Sequence, residues 1–553
     1  MSNSQNNDIR SFSLLSPDEN SIYFKIGKNA ENDLSIGFIA ENITGNSTEY
    51  SVIKRILLEM PVDERTINYR REVYSELKDD EELCEELYHI FDAMRFYSAD
   101  SAPKIDSGST MMELLTRLKA LEGYINSVLK IKEVIAGREF RSEGMKRFAG
   151  YISELYDNSG FDELAEDISA VCDDINNIKS ITIGVNLDNE FYPKETGILT
   201  LNSFYFERHG VLKRFINFHK DRINDKELLP FSMEMHKDGL DWMEQKYRGI
   251  PSPTNRPTDS PLMNNLNTII ERMLPSMSGK LKKVLNRYVD VSGKALSSLA
   301  DELLFYLRFI ELEKELIKLG VPCCGGSVSA DDTVLKDFYN VKLAICRMKG
   351  TVEEDIVCND MEFTKERTVH ILTGPNRGGK TILTQGIGLL FLLYQSGVFV
   401  PAASAVIRPC SGIYTHFPVD EAQTVSLGRL GEEAERFNEI CRTADSESLL
   451  LFNESFATTS HTESLYIAED VIKYLCCLGT RTCFNTHMHE LAENAALLSS
   501  AEKAVCKAVS VVMENNNGER SYKISYKKPD GKSYAHEIAY KYGITFEQLS
   551  HNL

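Results

Sequence analysis

The sequence has 553 residues, 42% of them hydrophobic and 26% charged, and its formal net charge at pH 7 is −20. The length predicts several domains with a sizeable core, and the composition is ordinary for a soluble protein. The acidic balance gives no support to nonspecific nucleic-acid binding through many phosphate contacts, although a local basic surface stays open.

No apolar run reaches the roughly 18 residues of a membrane span, and the polar start of the chain has no signal-peptide core. The twelve cysteines include two adjacent pairs but no Cys-x-x-Cys spacing, which predicts neither a zinc site nor a disulfide framework. We therefore expect a cytoplasmic protein without a membrane partner, whose cysteines are reduced structural thiols.

The first part of the chain divides into two regions with different sequence patterns. Residues 1–45 contain short alternating segments, such as 21–26 and 34–39, and predict only a small lead-in that allows β structure and has no assigned function. From residue 46 to about residue 330 apolar side chains recur at a spacing of three to four, which predicts a mainly α-helical region. The first helical patterns lie at about residues 52–57, 67–77, 81–97, 110–136, 143–157 and 160–178.

Three further features belong to this helical region. Residues 181–187 and 197–202 predict the two strands of a hairpin, and the four prolines of residues 251–261 predict a loop or linker. A helix of about 28 residues, roughly 42 Å long, then ends at Gly320. Its single apolar stripe is more typical of core packing than of a signalling lever. The stripe consists of Leu296, Leu299, Leu303, Leu307 and Ile310.

Two local segments are basic in spite of the acidic total. They are residues 280–287 and residues 523–532. Each is compatible with a surface that faces a nucleic-acid duplex, but a solvated helix face or hairpin is the plainer interpretation.

From residue 331 to residue 553 strands and helices alternate, which predicts an α/β domain with a mostly parallel sheet. Its central motif is an apolar strand that breaks into a glycine-rich loop and then continues as a helix. The loop has the spacing Gly, four residues, Gly-Lys-Thr, which is the pattern of a phosphate-binding P-loop. Its residues are Gly374, Pro375, Asn376, Arg377, Gly378, Gly379, Lys380 and Thr381.

Each position of the glycine-rich loop has a mechanical reason. Glycines allow backbone N–H groups to close on phosphate oxygens, and the helix that begins at Lys380 directs its positive end to the same place. Lys380 would supply a positive charge to the β- and γ-phosphates of ATP, and the Thr381 hydroxyl would be a ligand of Mg²⁺. A plain glycine turn between a strand and a helix would need neither the lysine nor the threonine.

A second apolar strand, residues 449–454, ends in Asn453 and Glu454. This is where a phosphate-loop ATPase needs an acid that orients Mg²⁺, followed by a glutamate that orients the attacking water. Glu454 fits the catalytic role. Asn453 stands where an aspartate is expected, so its neutral amide predicts weakened binding of the metal. The alternative interpretation is that both residues only end a strand.

Two more positions complete the predicted site. His487 follows the buried strand of residues 482–486, at the carboxyl edge where a γ-phosphate sensor is expected. Ser426 lies in a Ser/Gly-containing turn that leads into an acidic helix, and by itself this turn predicts only a capped helix.

These stretches together resemble the ATPase domain of the MutS family, DNA mismatch-repair ATPases of the wider ABC class. The resemblance covers residues 335–545 well. More weakly, residues 60–70 and the following helices resemble the start of the family's helical core, with the long helix that ends near Gly320 as its returning lever. The segments that carry the resemblance are residues 373–381, 399–402, 449–460, 485–491 and 531–539.

The resemblance implies ATP and Mg²⁺ as cofactors, DNA as partner, and a homodimer in which Ser426 of one subunit reaches the γ-phosphate bound by the other. The sequence departs from the family pattern at residues 427–431, at residues 455–458 and at Asn453, which predicts slow hydrolysis more than lost ATP binding. Only about 45 residues precede the helical core, so we expect neither the family's mismatch-recognition wedge nor its connector domain. We likewise expect no long C-terminal dimerisation extension of the family's kind.

The resulting expectation is a multidomain MutS-like ATPase. Residues 46–330 would form the helical core and lever, and residues 331–553 an ABC-type P-loop ATPase domain that dimerises around two ATP molecules. Two alternatives stay open. One is a generic ABC-class ATPase that acts on a protein or a structured nucleic acid, and the other is an ATP-binding switch with negligible hydrolysis.

Overall fold

The computed structural model describes sixteen stretches of the chain and divides it into two compact units. The first unit comprises Met1–Tyr88, Gly137–Gly150 and Ser298–Leu553, and the second comprises His89–Ala136 and Tyr151–Ser297. The described residues are 12–97, 109, 111–157, 159–176, 180–187, 189–190, 193–202, 275–288, 294–375, 378–418, 429–456, 460–516, 519–529, 540, 543 and 545–550.

The described elements are mainly helices in the first half of the chain and a mixture of strands and helices in the second half. The helices are α1 Lys28–Asp33, α2 Ile36–Ile43, α3 Ser47–Leu58, α4 Glu64–Asp79, α5 Glu81–Tyr97, α6 Met111–Ile135, α7 Glu143–Tyr156, α8 Ser159–Asn176, α9 Pro275–Arg287, α10 Lys294–Lys318, α11 Val341–Met348, α12 Lys380–Gln395, α13 Arg429–Thr443, α14 His461–Leu478, α15 His489–Glu493, α16 Ala495–Leu498 and α17 Phe546–Ser550. The strands are β1 Tyr23–Lys25, β2 Glu59–Pro61, β3 Ser180–Leu187, β4 Pro193–Asn202, β5 Ser327–Val328, β6 Thr333–Phe338, β7 Asn359–Phe363, β8 Val369–Thr373, β9 Ser404–Ile407, β10 Ile413–His416, β11 Leu449–Asn453, β12 Arg481–Asn485, β13 Ala508–Asn516 and β14 Glu519–Ser525.

The described residues of the second unit form helices and an antiparallel hairpin. Helices α6, α8 and α9 pack on one another, and β3 pairs with β4 in antiparallel fashion, which confirms the hairpin predicted from the sequence. The basic segment of residues 280–287 lies on α9, where Leu281 and Leu285 are buried while Lys283 is exposed. The predicted proline-rich linker of residues 251–261 lies outside the described residues.

The first unit is organised around a six-stranded sheet with the order β10-β11-β12-β8-β13-β14. The first five strands run parallel and β14 pairs antiparallel with β13. Every residue of β8, β11 and β12 is buried, because helices cover the centre of such a sheet on both faces. A second sheet has the order β5-β9-β6-β7. The helical region followed by mixed α/β sheets agrees with the predicted fold class at this level.

The long helix α10 ends close to the predicted position. It stops at Lys318, and Gly320 follows with a φ of 89°, a left-handed conformation that favours glycine. Leu299, Leu303, Leu307 and Ile310 of the predicted stripe are buried, as expected for core packing. No described helix combines the length and the apolar character that crossing a membrane requires.

The N-terminal segment differs from its sequence expectation, because it is part of the first unit. Strand β1 pairs with β2, but residues 34–39 contribute to helix α2 and not to a second strand. Ile36, Ile39 and Ala40 are completely buried at helical spacing, so the tertiary contacts favour the helix over the alternating pattern. Helix α1 contacts β10, and α2 contacts α11.

Direct contacts show how closely this segment packs on α12, the helix after the glycine-rich loop. The Gln385 side chain donates from Nε2 to the carbonyl oxygen of Asp33 at 2.7 Å. A Cβ added at Gly388 would lie 2.5 Å from a methyl group of Leu34, so this position admits only glycine without a shift of its neighbour. The sequence boundary at residue 331 therefore does not coincide with the division of the structure into units.

Candidate functional site

The glycine-rich loop (residues 374–381) leaves the carboxyl end of the central strand β8. Gly374 has a φ of 145°, and a Cβ at this position would lie 2.7 Å from Cβ of Met513. Gly379 has a φ of 92° and precedes the first residue of α12. Both conformations lie in the region that L side chains rarely adopt, so the glycines predicted to shape this loop are required by its backbone.

Lys380 is buried under the glycine-rich loop, with 4% of its surface exposed. Its Nζ donates to the carbonyl oxygens of Gly374 at 3.1 Å and Pro375 at 3.3 Å. Burial lowers the pKa of Lys380, and the negative charge of Glu454 partly opposes that effect. Because these described partners are neutral carbonyls, an anion placed in the loop would stabilise the buried ammonium.

Asn453 ends strand β11 and lies opposite the loop. Its Oδ1 accepts a hydrogen bond from the Thr381 hydroxyl at 2.9 Å and a second, short one from Nδ2 of Asn485. Asn485 ends strand β12 and faces Asn453 in the parallel register of the two strands. Both amides are buried, whereas Thr381 is exposed to the cavity described below.

Glu454 follows Asn453 in a left-handed backbone conformation with a φ of 52°. Its N–H donates to the carbonyl oxygen of Asn485 at 2.9 Å, and its Oε1 lies 2.8 Å from Nε2 of His487. The hydrogen bond with His487 lowers the pKa of Glu454, against the opposing effect of partial burial. The carboxylate is therefore ionised at neutral pH. We call Asn453, Glu454, Asn485 and His487 the strand-end cluster.

The turn after Glu454 is held by helix α13. Phe456 has a φ of 63°, and its N–H donates to Oε2 of Glu433 at 2.8 Å. The Ser455 hydroxyl lies 2.7 Å from Nδ1 of His416, whose ring stacks on the Phe456 ring with centroids 5.9 Å apart. Burial lowers the pKa of His416 to about 4, so this imidazole is neutral at pH 7. These contacts stabilise two left-handed non-glycine residues beside the strand-end cluster.

A cavity of about 370 Å³ opens beside the glycine-rich loop. Its lining includes Gly379, Lys380, Thr381 and Glu454. It also includes two acidic residues, Glu354 and Asp355, and several apolar or aromatic side chains, among them Phe338, Tyr339, Leu343, Val352, Ile356 and Val357. A concave site lined by apolar side chains and a few polar groups is typical of a site for a small organic ligand.

The residues present fit a nucleotide phosphate and its cation. Main-chain geometry at Gly374 and Gly379 lets the backbone approach a ligand closely, and Lys380 supplies a positive charge. The oxygen atoms of Thr381 and Asn453 are hard donors of the kind that Mg²⁺ prefers. Within the described residues no group of three or more His, Cys, Asp and Glu side chains is placed to hold a metal ion.

Some predicted site residues lie outside the described residues. These are Asn376 and Arg377 of the glycine-rich loop and Ser426 of the predicted signature turn. The structure does bring together Lys380, Thr381 and the strand-end cluster, which come from three separate parts of the sequence.

Two family models match this chain. A model of MutS domain V matches residues 370–549, and a model of the MutS2 N-terminal domain matches residues 62–319. The first match contains the glycine-rich loop and the strand-end cluster just described. The chain is a divergent member of the MutS family.

Named relatives of this MutS family member are similar at modest identity. A DNA mismatch repair protein MutS of Chlorobium chlorochromatii is 33% identical over 200 residues, 34% of this chain and 23% of that protein. A DNA mismatch repair protein MutS of Clostridium botulinum (strain Langeland) is 24% identical over 450 residues, 78% of this chain and 45% of that protein. An Endonuclease MutS2 of Geobacillus sp. (strain WCH70) is 30% identical over 221 residues, 39% of this chain and 27% of that protein. The chain thus spans less than half the length of each of these relatives.

Sequence reasoning missed two parts of the site in this MutS family member. The first is Asn485, although a signal existed: β11 and β12 both end in Phe-Asn, and the two pairs lie opposite each other. The second is the part of the cavity lining that includes Phe338 and Tyr339. Phe338 is the last residue of β6, and both residues lie far from the glycine-rich loop in the sequence. No local pattern marks those aromatic residues as part of a site.

Proposed function

We propose that this MutS family member binds ATP with Mg²⁺ at the glycine-rich loop and hydrolyses it slowly. The observation that carries the proposal is the convergence of Lys380, Thr381 and Glu454 in the lining of one cavity of about 370 Å³. We further propose that residues 331–553 act as an ABC-type P-loop ATPase, with the N-terminal segment completing its fold, and that the protein works in the cytoplasm.

The proposed roles follow from the chemistry of each group. Lys380 and the backbone N–H groups of the loop bind phosphate oxygens, and the apolar side chains of the cavity lining receive the base and ribose. Bound Mg²⁺ would neutralise charge that develops on the phosphates. Glu454 is ionised and orients the attacking water, while His487 holds that carboxylate and senses the γ-phosphate.

Slow turnover follows from the neutral Asn453. An aspartate at the end of β11 would add a negative charge beside the Thr381 hydroxyl, whereas the amide of Asn453 supplies only a dipole. The cation is then bound mainly by the nucleotide phosphates and Thr381. Turnover should therefore need a high Mg²⁺ concentration.

We also propose that ATP brings two copies together, with Ser426 of each copy at the γ-phosphate bound by the other. The support is the family resemblance of the turn that contains Ser426. Sedimentation of Glu454→Gln with and without ATP tests this pairing. A shift to dimer with ATP is expected, and an identical distribution in both conditions would exclude ATP-driven pairing.

DNA is the proposed partner, because relatives that cover much of this chain are named as DNA mismatch repair proteins. Mismatched or structured DNA is the substrate class that we propose. A binding panel of perfect duplex, mismatched duplex and branched DNA, with and without ATP, tests it. The proposal requires that at least one DNA form binds and that ATP changes its affinity. Equal failure of all three forms would exclude DNA.

One observation favours a second function, an ATP-binding switch with negligible hydrolysis that acts on a protein or another nucleic acid. The single carboxamide oxygen of Asn453 already accepts from two donors, Thr381 and Asn485, and carries no charge. Phosphate release decides between the two functions. Slow release that Glu454→Gln removes supports the ATPase, whereas ATP binding without measurable release supports the switch.

A further inference from the structure

We propose that Asn485 is a positioning residue that turns the Asn453 carboxamide so that its oxygen faces Thr381. The inference rests on the proposed ATP and Mg²⁺ site and explains how a neutral residue can stand in for an acid there. It concerns three side chains, Thr381, Asn453 and Asn485, that form one hydrogen-bonded series.

The starting point is the asymmetry of an amide. A carboxylate accepts hydrogen bonds at both ends, so its rotation by half a turn changes nothing. A carboxamide accepts at one end and donates at the other, so the same rotation of Asn453 would present an amino group to Thr381. An asparagine at this position can serve the threonine only when another group fixes its orientation.

Asn485 supplies that group. Its Nδ2 donates to Oδ1 of Asn453, the same atom that accepts from the Thr381 hydroxyl. A donor from Asn485 is satisfied only by the oxygen of Asn453, so the contact selects one of the two orientations of the amide. Asn485 is completely buried and lies directly opposite Asn453 in the register of β11 and β12, which prevents either side chain from turning to solvent.

The hydrogen bonds that remain unmade favour the same orientation. In the part of the chain that the structure describes, Oδ1 of Asn485 is buried and has no hydrogen-bond partner. If both amides were rotated, the amino group of Asn485, and not its oxygen, would be the buried group without a hydrogen-bond partner. Buried N–H groups without a partner are rarer than oxygens with unused lone pairs, so the observed arrangement is the less costly one.

The consequence for Thr381 is chemical. When the Thr381 hydroxyl donates a hydrogen bond to Asn453, the lone pairs of its oxygen stay available to a cation bound in the cavity that Thr381 lines. When Asn453 is rotated, its amino group donates to that oxygen and occupies a lone pair. Asn485 therefore controls the affinity of the site for the cation without touching the cation.

The test is a double-mutant cycle on the full chain. Binding of an ATP analogue that carries a fluorescent methylanthraniloyl group is titrated with Mg²⁺ in four proteins: unaltered, Asn485→Ala, Asn453→Asp, and both changes together. In the Asn453 background, Asn485→Ala should raise the Mg²⁺ concentration at half-maximal binding by about threefold to tenfold, the effect of one lost orienting hydrogen bond. In the Asn453→Asp background it should change that concentration by less than about twofold, because either end of a carboxylate accepts.

A merely structural role of Asn485 would raise the Mg²⁺ requirement equally in both backgrounds, and this result would overturn the proposal, as would no change in the Asn453 background. Cys483→Ala is the matched control, because Cys483 is buried on the same strand and contacts Thr384 instead of the site. Asn485→Leu retains the volume but not the donor, and it replaces Asn485→Ala if that variant does not fold. If the unaltered protein shows no Mg²⁺-dependent nucleotide binding, the proposed function fails together with this inference. If binding is intact but Asn485→Ala has the same effect in both backgrounds, only the inference fails.

Discussion

The glycine-rich loop and the strand-end cluster face the same cavity, but they are built in different ways. The loop depends on left-handed glycines and one buried ammonium, Lys380, whose partners are main-chain carbonyls. The cluster consists of side chains that satisfy one another, Asn453 with Asn485 and Glu454 with His487. A ligand phosphate could replace the carbonyl partners of Lys380. The side chains of the cluster are already paired with one another, so a phosphate would reach the catalytic groups only through these pairs. Phosphate binding and phosphate chemistry can therefore be changed separately in this molecule.

The largest expected effect separates chemistry from binding on the cluster side. Glu454→Gln should lower the rate of ATP hydrolysis by at least about a hundredfold, because a neutral amide cannot orient and polarise the attacking water as a carboxylate does. ATP affinity should change by less than about twofold, since Glu454 acts in the transition state. Phosphate release and calorimetry measure the two quantities. Glu490→Gln, an exposed glutamate paired with His461, is the control and should change neither.

The opposite result is expected on the loop side. Lys380→Ala should weaken ATP binding by about 1.5–3 kcal/mol, a tenfold or greater loss, because it removes a charge-assisted contact with phosphate. Calorimetry measures the affinity directly, and Lys336→Ala, which alters an exposed lysine of β6, is the matched control. Unchanged affinity in Lys380→Ala would show that the loop does not bind the nucleotide.

Strand β8, which leads to the glycine-rich loop, contains a buried histidine. Burial lowers the pKa of His370 from the ordinary 6.5 to about 3, so the folded protein favours the neutral imidazole. The stability that this provides is complete above pH 6.5 and is lost as the pH falls from 6.5 toward 3. At pH 5 the loss is about 2 kcal/mol. His370→Asn should remove this part of the pH dependence, as measured by urea unfolding of both proteins at pH 7 and pH 5. Parallel losses in the two proteins would contradict the assignment.

The smallest expected effect tests the metal side of the cluster. Asn453→Asp should lower the Mg²⁺ concentration for half-maximal ATP hydrolysis several-fold, because it adds a negative charge beside Thr381. Steady-state rates across a Mg²⁺ titration measure it. An unchanged requirement would mean that another acid already fulfils this role. Asp420 and Glu421, which lie outside the described residues, are among the candidates in the sequence.

Local patterns predicted the loop and most of the cluster. The spacing from Gly374 to Thr381 is a property of eight consecutive residues, and Glu454 stands directly after a buried apolar run. Asn485 escaped because its importance depends on its contact with Asn453 across the sheet. The shared Phe-Asn ending of β11 and β12 is visible in the sequence, but the register that places the two asparagines opposite each other is not. The helical first half was similarly predictable from its apolar spacing, in agreement with the observed helices α3 to α8.

The parts that could not be predicted depend on contacts between distant residues. The segment of residues 34–39 alternates like a strand, yet it contributes to a helix because Ile36 and Ile39 are buried within the first unit. The wall of the cavity near Phe338 has the same origin, since only the folded chain brings β6 beside the glycine-rich loop. Sequence periodicity reports the local backbone, and it contains no term for a partner several hundred residues away.

The packing of the N-terminal segment on α12 has a consequence for protein synthesis. The hydrogen bond between Gln385 and Asp33 joins residues 352 positions apart. At a synthesis rate of 5–20 residues per second, the ribosome needs roughly 20 to 70 seconds to reach the second partner after it has made the first. During that interval neither the six-stranded sheet nor helix α12 is present to cover Leu34, Ile36 and Ile39. The first unit can therefore close only near the end of translation, and its N-terminal apolar residues are an expected binding site for chaperones on the nascent chain.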